Sequence, residues 1–363
     1  MLSIYKSLAV SITIFFTYCN SPSKTYLEKY LPKSSLKGVW VTNVGSDALK
    51  SEANIKDLVY NCKKHQINHL FVVVWNKGLT QYPSDVLNKY IGIKQEQIFS
   101  HFDPLEFLIE VAHRQGIKVH AWFEFGFSFA YNDPKSPWIE KYPDWLGRDS
   151  EGKILKKNNF MWWNALHPGP QKFLLELIEE VVTKYDIDGI QGDDRLPAMP
   201  SEGGYDPYTL SLFQNEFSKS PPPNHKEENW ISWRSDQLSE FGKKVYQKVK
   251  SLNPKTLVSW APSIYPWSKH EYLQSWPDWI IGGYADFIVP QFYRYQLDDY
   301  SIIIDQLETQ LNAKERKKVY AGVLAALGGG YRINDTLLVD MVNYHRSKGI
   351  EGEVFFYYEF FNR

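Results

Sequence analysis

The chain has 363 residues, 43% of them hydrophobic, and a formal net charge of −1. That is enough apolar material for one large domain or two ordinary ones. The charge is too balanced to recruit nucleic acid, anionic lipid or an acidic polymer through a global field. Aromatic residues are abundant, with 13 Trp, 24 Tyr and 21 Phe. Packing absorbs much of such a set, and the surplus points to a cleft that stacks against flat apolar surfaces such as sugar faces.

The first residues read as a targeting segment. Lys6 precedes an apolar run, Leu8 to Tyr18, that is short for a membrane span. The run ends at Cys19, and Asn20-Ser21-Pro22-Ser23-Lys24 follows as a polar tether. The pattern looks like a bacterial lipoprotein signal: 1–19 a signal peptide, Cys19 the lipidation site, 20–37 a tether. It predicts a cell-envelope location, lipid-anchored and facing periplasm or exterior. Cys62 is then left alone inside a predicted helix, which excludes a disulfide framework and predicts a buried, inert thiol.

From Gly38 onward an apolar β-rich run, a loop and an amphipathic helix recur. Strands are predicted at Gly38–Asn43, His69–Asn76, Ile117–Glu124, Asp188–Asp193, Leu257–Ala261, Asp286–Tyr293, Val319–Leu324 and Gly352–Glu359. Helices are predicted between them, among others at Ile55–His65, Leu105–Gln115, Gln171–Tyr185, Ser235–Ser251 and Asp335–Lys348. Strict alternation predicts an α/β fold, a (β/α)8 TIM barrel over 38–363. No helix follows the last predicted strand, so Tyr26–Leu31 either covers that gap or leaves the barrel partly open. The loops after the third and fourth strands, from Gly126 to Pro168 and from Arg195 to Trp233, are long and mark the C-terminal face as the working face.

Period-two alternation selects what faces the barrel mouth. In Ile187–Arg195 it points Gln191 and Asp193 inward, with Asp194 and Arg195 opening the loop. In the third strand it points His120, Trp122 and Glu124 inward. In the eighth, Phe355, Tyr357 and Glu359 share a face, and the sixth offers Gln291, Tyr293 and Arg294. Asn43 and Asn76 close the first two strands, where turn-forming is their commoner role. Such a mouth suits glycosidic bond cleavage, which needs one protonated carboxyl and one ionised carboxylate, and neighbouring acids push their pKa values apart. Trp138, Trp145, Trp162 and Trp163 in the loop after the third strand, and Trp260, Trp267, Trp276 and Trp279 at or after the fifth, supply candidate sugar platforms. No HxH, HExxH or CxxC spacing supports a zinc site, and no GxSxG elbow is present. Gly328-Gly329-Gly330 after the seventh strand is either a connector or a phosphate loop.

The stretches GVWVTNV (38–44), VHAWFEFG (119–126), NALHPGPQKFLLELIEEVVTKYDIDGIQGDDR (164–195), VSWAPS (258–263), VPQFYR (289–294) and EVFFYYE (353–359) resemble the glycosyl-hydrolase-like 10 family of bacterial envelope proteins. The resemblance implies a barrel glycosidase, some of whose relatives are linked to the glycan strands of peptidoglycan, with its aspartate pair at Asp193 and Asp194. Many family members carry Asn where this chain has Glu124, so that carboxylate marks a subgroup. The expected catalytic set is Asp193 as nucleophile or electrostatic stabiliser, with Asp194 or Glu124 as general acid. The expected substrate contacts are Asn43, Asn76, Trp122, Gln191, Arg195, Trp260, Gln291, Tyr293, Arg294 and Glu359. Neither metal nor organic cofactor is expected, nor nucleic acid, nor a protein partner. The rival reading is a non-catalytic glycan-binding barrel.

Overall fold

The computed structural model describes residues 26–362; the signal-peptide and Cys19 expectations lie outside them. Eight parallel strands form the sheet: β1 (Leu36–Val41), β2 (His69–Val73), β3 (Lys118–Phe123), β4 (Gly189–Gly192), β5 (Leu257–Trp260), β6 (Phe287–Ile288), β7 (Ala321–Leu324) and β8 (Gly352–Phe356). Their order runs β6-β5-β4-β3-β2-β1-β8-β7. Parallel bridges Ile288–Val319 and Gln291–Gly322 join the two edges, carried by bonds such as Tyr320 N–H to Ile288 O at 2.9 Å. The chain is a TIM barrel. Its sixth strand is shorter than the predicted Asp286–Tyr293 because Pro290 has no N–H to give the ladder. The predicted second strand also divides: Trp75–Asn76 leaves the barrel ladder and pairs with Leu79–Thr80 as a hairpin.

The outer ring includes α1 (Glu52–Lys64), α2 (Pro104–Arg114), α3 (Pro168–Lys184), α4 (Glu228–Leu252), α5 (Leu297–Gln310) and α6 (Asp335–Ser347). Local chemistry starts several of them: the Ser51 hydroxyl accepts the Asn54 N–H, and Asp103, followed by Pro104, caps α2. The long loop after β4 contains a further helix, Pro207–Phe217, and α4 begins seven residues before the predicted start at Ser235. A short helix, Tyr26–Tyr30, contacts α6. Its Leu27 and the following Leu31 border a small cavity with His65 and Phe361, the place an eighth barrel helix would occupy. Cys62 is buried on α1, and desolvation pushes its thiol pKa up.

The barrel lumen is filled in layers. At the bottom His69 Nδ1 lies 2.9 Å from His120 Nε2, with Phe71 stacked on His120. Gly189 makes room for this layer, since a Cβ there would come within 2.3 Å of His120 Nδ1. Above it Trp40 Nε1 donates to Gln191 Oε1 at 2.8 Å and Gln191 Nε2 to Ser259 Oγ at 3.2 Å, beside Trp122. The top layer carries the polar residues of the mouth.

Burial lowers both imidazole pKa values, that of His69 from 6.5 to about 4. The unfolded chain therefore takes up protons first as pH falls. Stability from this pair is complete above about 6.5 and is lost as pH drops towards the folded value. Thermal melts across that window should show a falling Tm. His120→Leu should flatten the slope, and an unchanged slope would show that other groups govern acid stability.

The eighth strand corrects an expectation. Phe356, not Phe355, points into the lumen, with its ring 6.1 Å from Trp40 and 5.4 Å from Tyr293. Phe355 packs outside on Phe361. The odd positions face outward because the buried Glu353 carboxylate meets His345 and Arg346 of α6.

Candidate active site

Three carboxylates surround one guanidinium at the C-terminal end of β3 and β4. Arg195 Nη2 lies 3.0 Å from Asp193 Oδ2 and 3.7 Å from Glu124 Oε1, and its Nη1 lies 3.0 Å from Asp194 Oδ1. Arg195 Nε donates to the Glu124 carbonyl at 2.9 Å. The flat faces of the guanidinium sit over Phe125 and Phe160 at 5.3 and 4.9 Å. Gly126, with φ +49°, lets the two loops close: a Cβ there would lie 2.0 Å from the Arg195 carbonyl oxygen, which accepts the Phe127 N–H at 2.9 Å.

Each acid has its own surroundings. Asp193 is almost fully buried, and both its oxygens accept, Oδ2 from Arg195 and Oδ1 from Gln291 Nε2 at 3.0 Å. Burial, and then the charge of Asp194, hold its pKa well above the usual carboxylate range against the pull of Arg195. Glu124 accepts from Asn76 Nδ2 at 2.6 Å and Thr42 Oγ1 at 3.3 Å. Burial raises its pKa too, with Arg195 opposing. Asp194 is the most open of the three, its side chain 26% exposed against 13% for Glu124 and 4% for Asp193. The Tyr293 hydroxyl is held protonated by burial and by these carboxylates.

The structure thus brings Asp193, Asp194, Arg195, Glu124, Asn76, Gln291 and Tyr293 together. Gln191 and Trp122 lie one layer lower, where the Gln191 amide is used by Trp40 and Ser259. Arg294 lines a flanking cavity with Gln291 and Tyr293. Asn43 donates to Glu96 at 3.0 Å and, with Glu359, lines a separate polar pocket.

Two of the expected substrate contacts lie away from the carboxylate cluster. Glu359 sits on the one-turn helix Tyr358–Phe360, accepts from Ser46 at 2.6 Å and stays outside the carboxylate cluster. Trp260 points away from the mouth, packs on Trp279 and donates to the Tyr284 carbonyl, because Gly192 leaves the space its ring fills.

The loop tryptophans are also core. Twelve of the thirteen are buried, and Trp267 alone is exposed, at 48%. The loop after β3 is a small three-stranded sheet, Ser128–Tyr131, Phe160–Trp162 and Lys156–Lys157, and an insert of that size needs its own apolar centre. Gly328–Gly330 meet nothing within 4 Å of a built Cβ, an open turn.

Sequence reasoning missed Thr42, Glu96 and Gln274. Gln274 Nε2 donates to the Asp193 and Pro197 carbonyls at 3.1 and 3.3 Å, clamping the loop after β4. Thr42 does carry a spacing signal, two residues beyond the inward Trp40 in the predicted first strand, whereas Glu96 and Gln274 arrive from loops and carry none.

The sequence profile of the glycosyl hydrolase-like 10 family matches residues 35–344. The chain belongs to the glycosyl hydrolase-like 10 family. This family member is 23% identical over 291 residues to "Glycosyl hydrolase DigH" of Escherichia coli K12, covering 71% of this chain and 62% of that one. It is 23% identical over 298 residues to "Glycosyl hydrolase YngK" of Bacillus subtilis 168, covering 71% and 54%. The chain therefore spans less than two thirds of the length of these curated relatives. In fold it is similar to the glycoside hydrolase domain of PgaB (BpsB) from Bordetella bronchiseptica, with TM-score 0.69, 14% identity and 91% and 96% of the two chains covered. Similarity also extends to alpha-L-fucosidase isoenzyme 2 from Paenibacillus thiaminolyticus, with TM-score 0.63, 17% identity and 90% and 48% covered.

Proposed function

We propose that this family member hydrolyses a β-linked glycan, with the glycan strands of peptidoglycan as first candidate, through a proton held by the Asp193–Asp194 pair. The observation that carries the reading is three carboxylates around the single guanidinium of Arg195 at a barrel mouth, with the pKa values of Asp193 and Glu124 raised by burial. Such a cluster retains a proton that separate carboxylates would release. Asp194, the exposed member, passes it to the glycosidic oxygen as the bond to the anomeric carbon breaks. Asp193 is thereby left ionised beside the oxocarbenium-like centre, where its charge stabilises the transition state. Water then adds at the anomeric carbon and gives up a proton to the ionised pair, which restores the acid for the next turnover. The pattern of Lys6, the apolar run and Cys19 supports lipid anchoring in the cell envelope, where that polymer lies.

The test is release of new reducing ends from purified peptidoglycan, with and without stem peptides, and from a panel of β-glucans. Binding without turnover would replace hydrolysis by the carbohydrate-binding reading. The pH profile supplies a second check. Because the required proton is lost as pH rises, kcat/KM should fall on the alkaline side. The Glu124 charge helps to hold that proton, so Glu124→Gln should move the alkaline limb to lower pH while activity persists. Complete loss in Glu124→Gln would make Glu124 itself the donor and overturn the assignment to the pair.

A further inference from the structure

Beside the carboxylate cluster lies a cavity of about 340 Å³ lined by Ser263, Ile264, Trp267, Gln291, Tyr293 and Arg294. That volume lies at the lower end of small-molecule sites, about 300–1,000 Å³, the room of a single sugar ring and its substituents. Gln291 ties the cavity to the chemistry, because its Nε2 donates to Asp193 Oδ1 at 3.0 Å. Trp267 gives it a flat wall. This ring is held by Tyr272 at 5.5 Å and is exposed where every other tryptophan is buried.

Arg294 gives the cavity its charge. Its Nη1 donates to the Tyr293 carbonyl at 2.7 Å, and among the described residues no carboxylate pairs with it. Arg195, by contrast, is committed to Asp193, Asp194 and Glu124. An anionic substituent is repelled by that cluster, so within the mouth it is best placed on the Arg294 side. A guanidinium offers a planar fork of donors that matches a carboxylate.

We propose that this cavity is a subsite for a sugar carrying a carboxylate, whose ring stacks on Trp267 and whose acid group meets Arg294. The inference rests on the glycan reading of the site and adds a substrate class to it: an acidic glycan that continues past the scissile bond. A uronic acid and a lactyl ether on an amino sugar present the same chemistry.

The experiment separates binding from turnover. Calorimetric titrations of Asp193→Asn protein would use four β-linked oligosaccharides of equal length: one containing a uronate, one alternating N-acetylglucosamine with N-acetylmuramic acid, neutral chitooligosaccharide and its cationic de-N-acetylated form. At least one acidic ligand should bind about tenfold more tightly than the neutral one, and which of them does so identifies the source of the carboxylate. The preference should shrink with added salt. Adding Arg294→Gln should abolish the acid preference, and adding Trp267→Ala should weaken acidic and neutral ligands alike. Should Arg294→Gln fail to fold, Arg294→Lys keeps the charge without the fork and should reduce the preference. Equal or tighter binding of the neutral or cationic ligand, no binding of any ligand, or an acid preference that survives Arg294→Gln or is undiminished by Arg294→Lys would overturn the subsite. Acid-selective binding with no reducing ends released by the parent protein would keep the subsite and remove the hydrolase reading.

Discussion

Asp193→Asn should lower kcat on the order of a thousandfold, within the range of lost proton-transfer catalysis, while leaving KM nearly unchanged. Asparagine keeps the volume and one acceptor for Arg195, but it can neither hold the shared proton nor develop negative charge. The amide also sets an N–H group against the Gln291 donor that now lies 3.0 Å from Asp193 Oδ1. Asp194→Asn should produce a loss of similar size, and the double variant should add little, because residues that act as one unit are not additive. Steady-state kinetics on whichever glycan the panel selects, with melting curves to verify folding, would measure this. Retention of more than about a tenth of kcat in either single variant would remove the pair from the chemistry.

Trp163→Ala should cost about 3–5 kcal/mol of stability, as truncation of a fully buried large aromatic does. Trp163 is stacked on Phe129 at 5.4 Å and on Trp75 at 6.1 Å, and it meets Trp138 edge-on at 4.9 Å. Its stack on Trp75, whose Nε1 donates to the Gly126 carbonyl at 3.0 Å, joins the insert after β3 to the barrel. Urea unfolding followed by fluorescence would give the loss, and Trp163→Phe should recover much of it. A cost below about 1 kcal/mol would mean that the insert does not depend on this core, and the loop tryptophans would again be open to a sugar-binding role.

The contrast between β3 and β8 shows how far pattern reading reaches. In β3 the inward positions include His120, Trp122 and Glu124 and the outward ones are Val119, Ala121 and Phe123, so polarity itself marks the face. In β8 the choice lay between Phe355 and Phe356, equal in chemistry, and a strand buried on both sides has no polar side to reveal its phase. Glu353 decided it, because α6 brings His345 and Arg346 to that carboxylate. The same limit explains the tryptophans. A ring in a loop is a platform when the loop is bare and a core when the loop folds on itself, and only the pairing of Phe160–Trp162 with Ser128–Tyr131 distinguishes the two.

By itself the sequence determined what depends on local order: eight strands alternating with helices, the long loops of the C-terminal face, and the end of β4 where Asp193, Asp194 and Arg195 are adjacent in the chain. The alternation also aimed Glu124 and Gln291 at the mouth. Only the tertiary structure decided that they meet Arg195 and Asp193, that Glu359 and Trp260 lie away from that cluster, and that Trp267 and Arg294 line a cavity beside the acids. The division has a physical reason. Covalent neighbours and side-chain periodicity are properties of one segment, whereas burial, shared protons and unpaired charge depend on which segments the closed barrel brings within a few ångströms of one another.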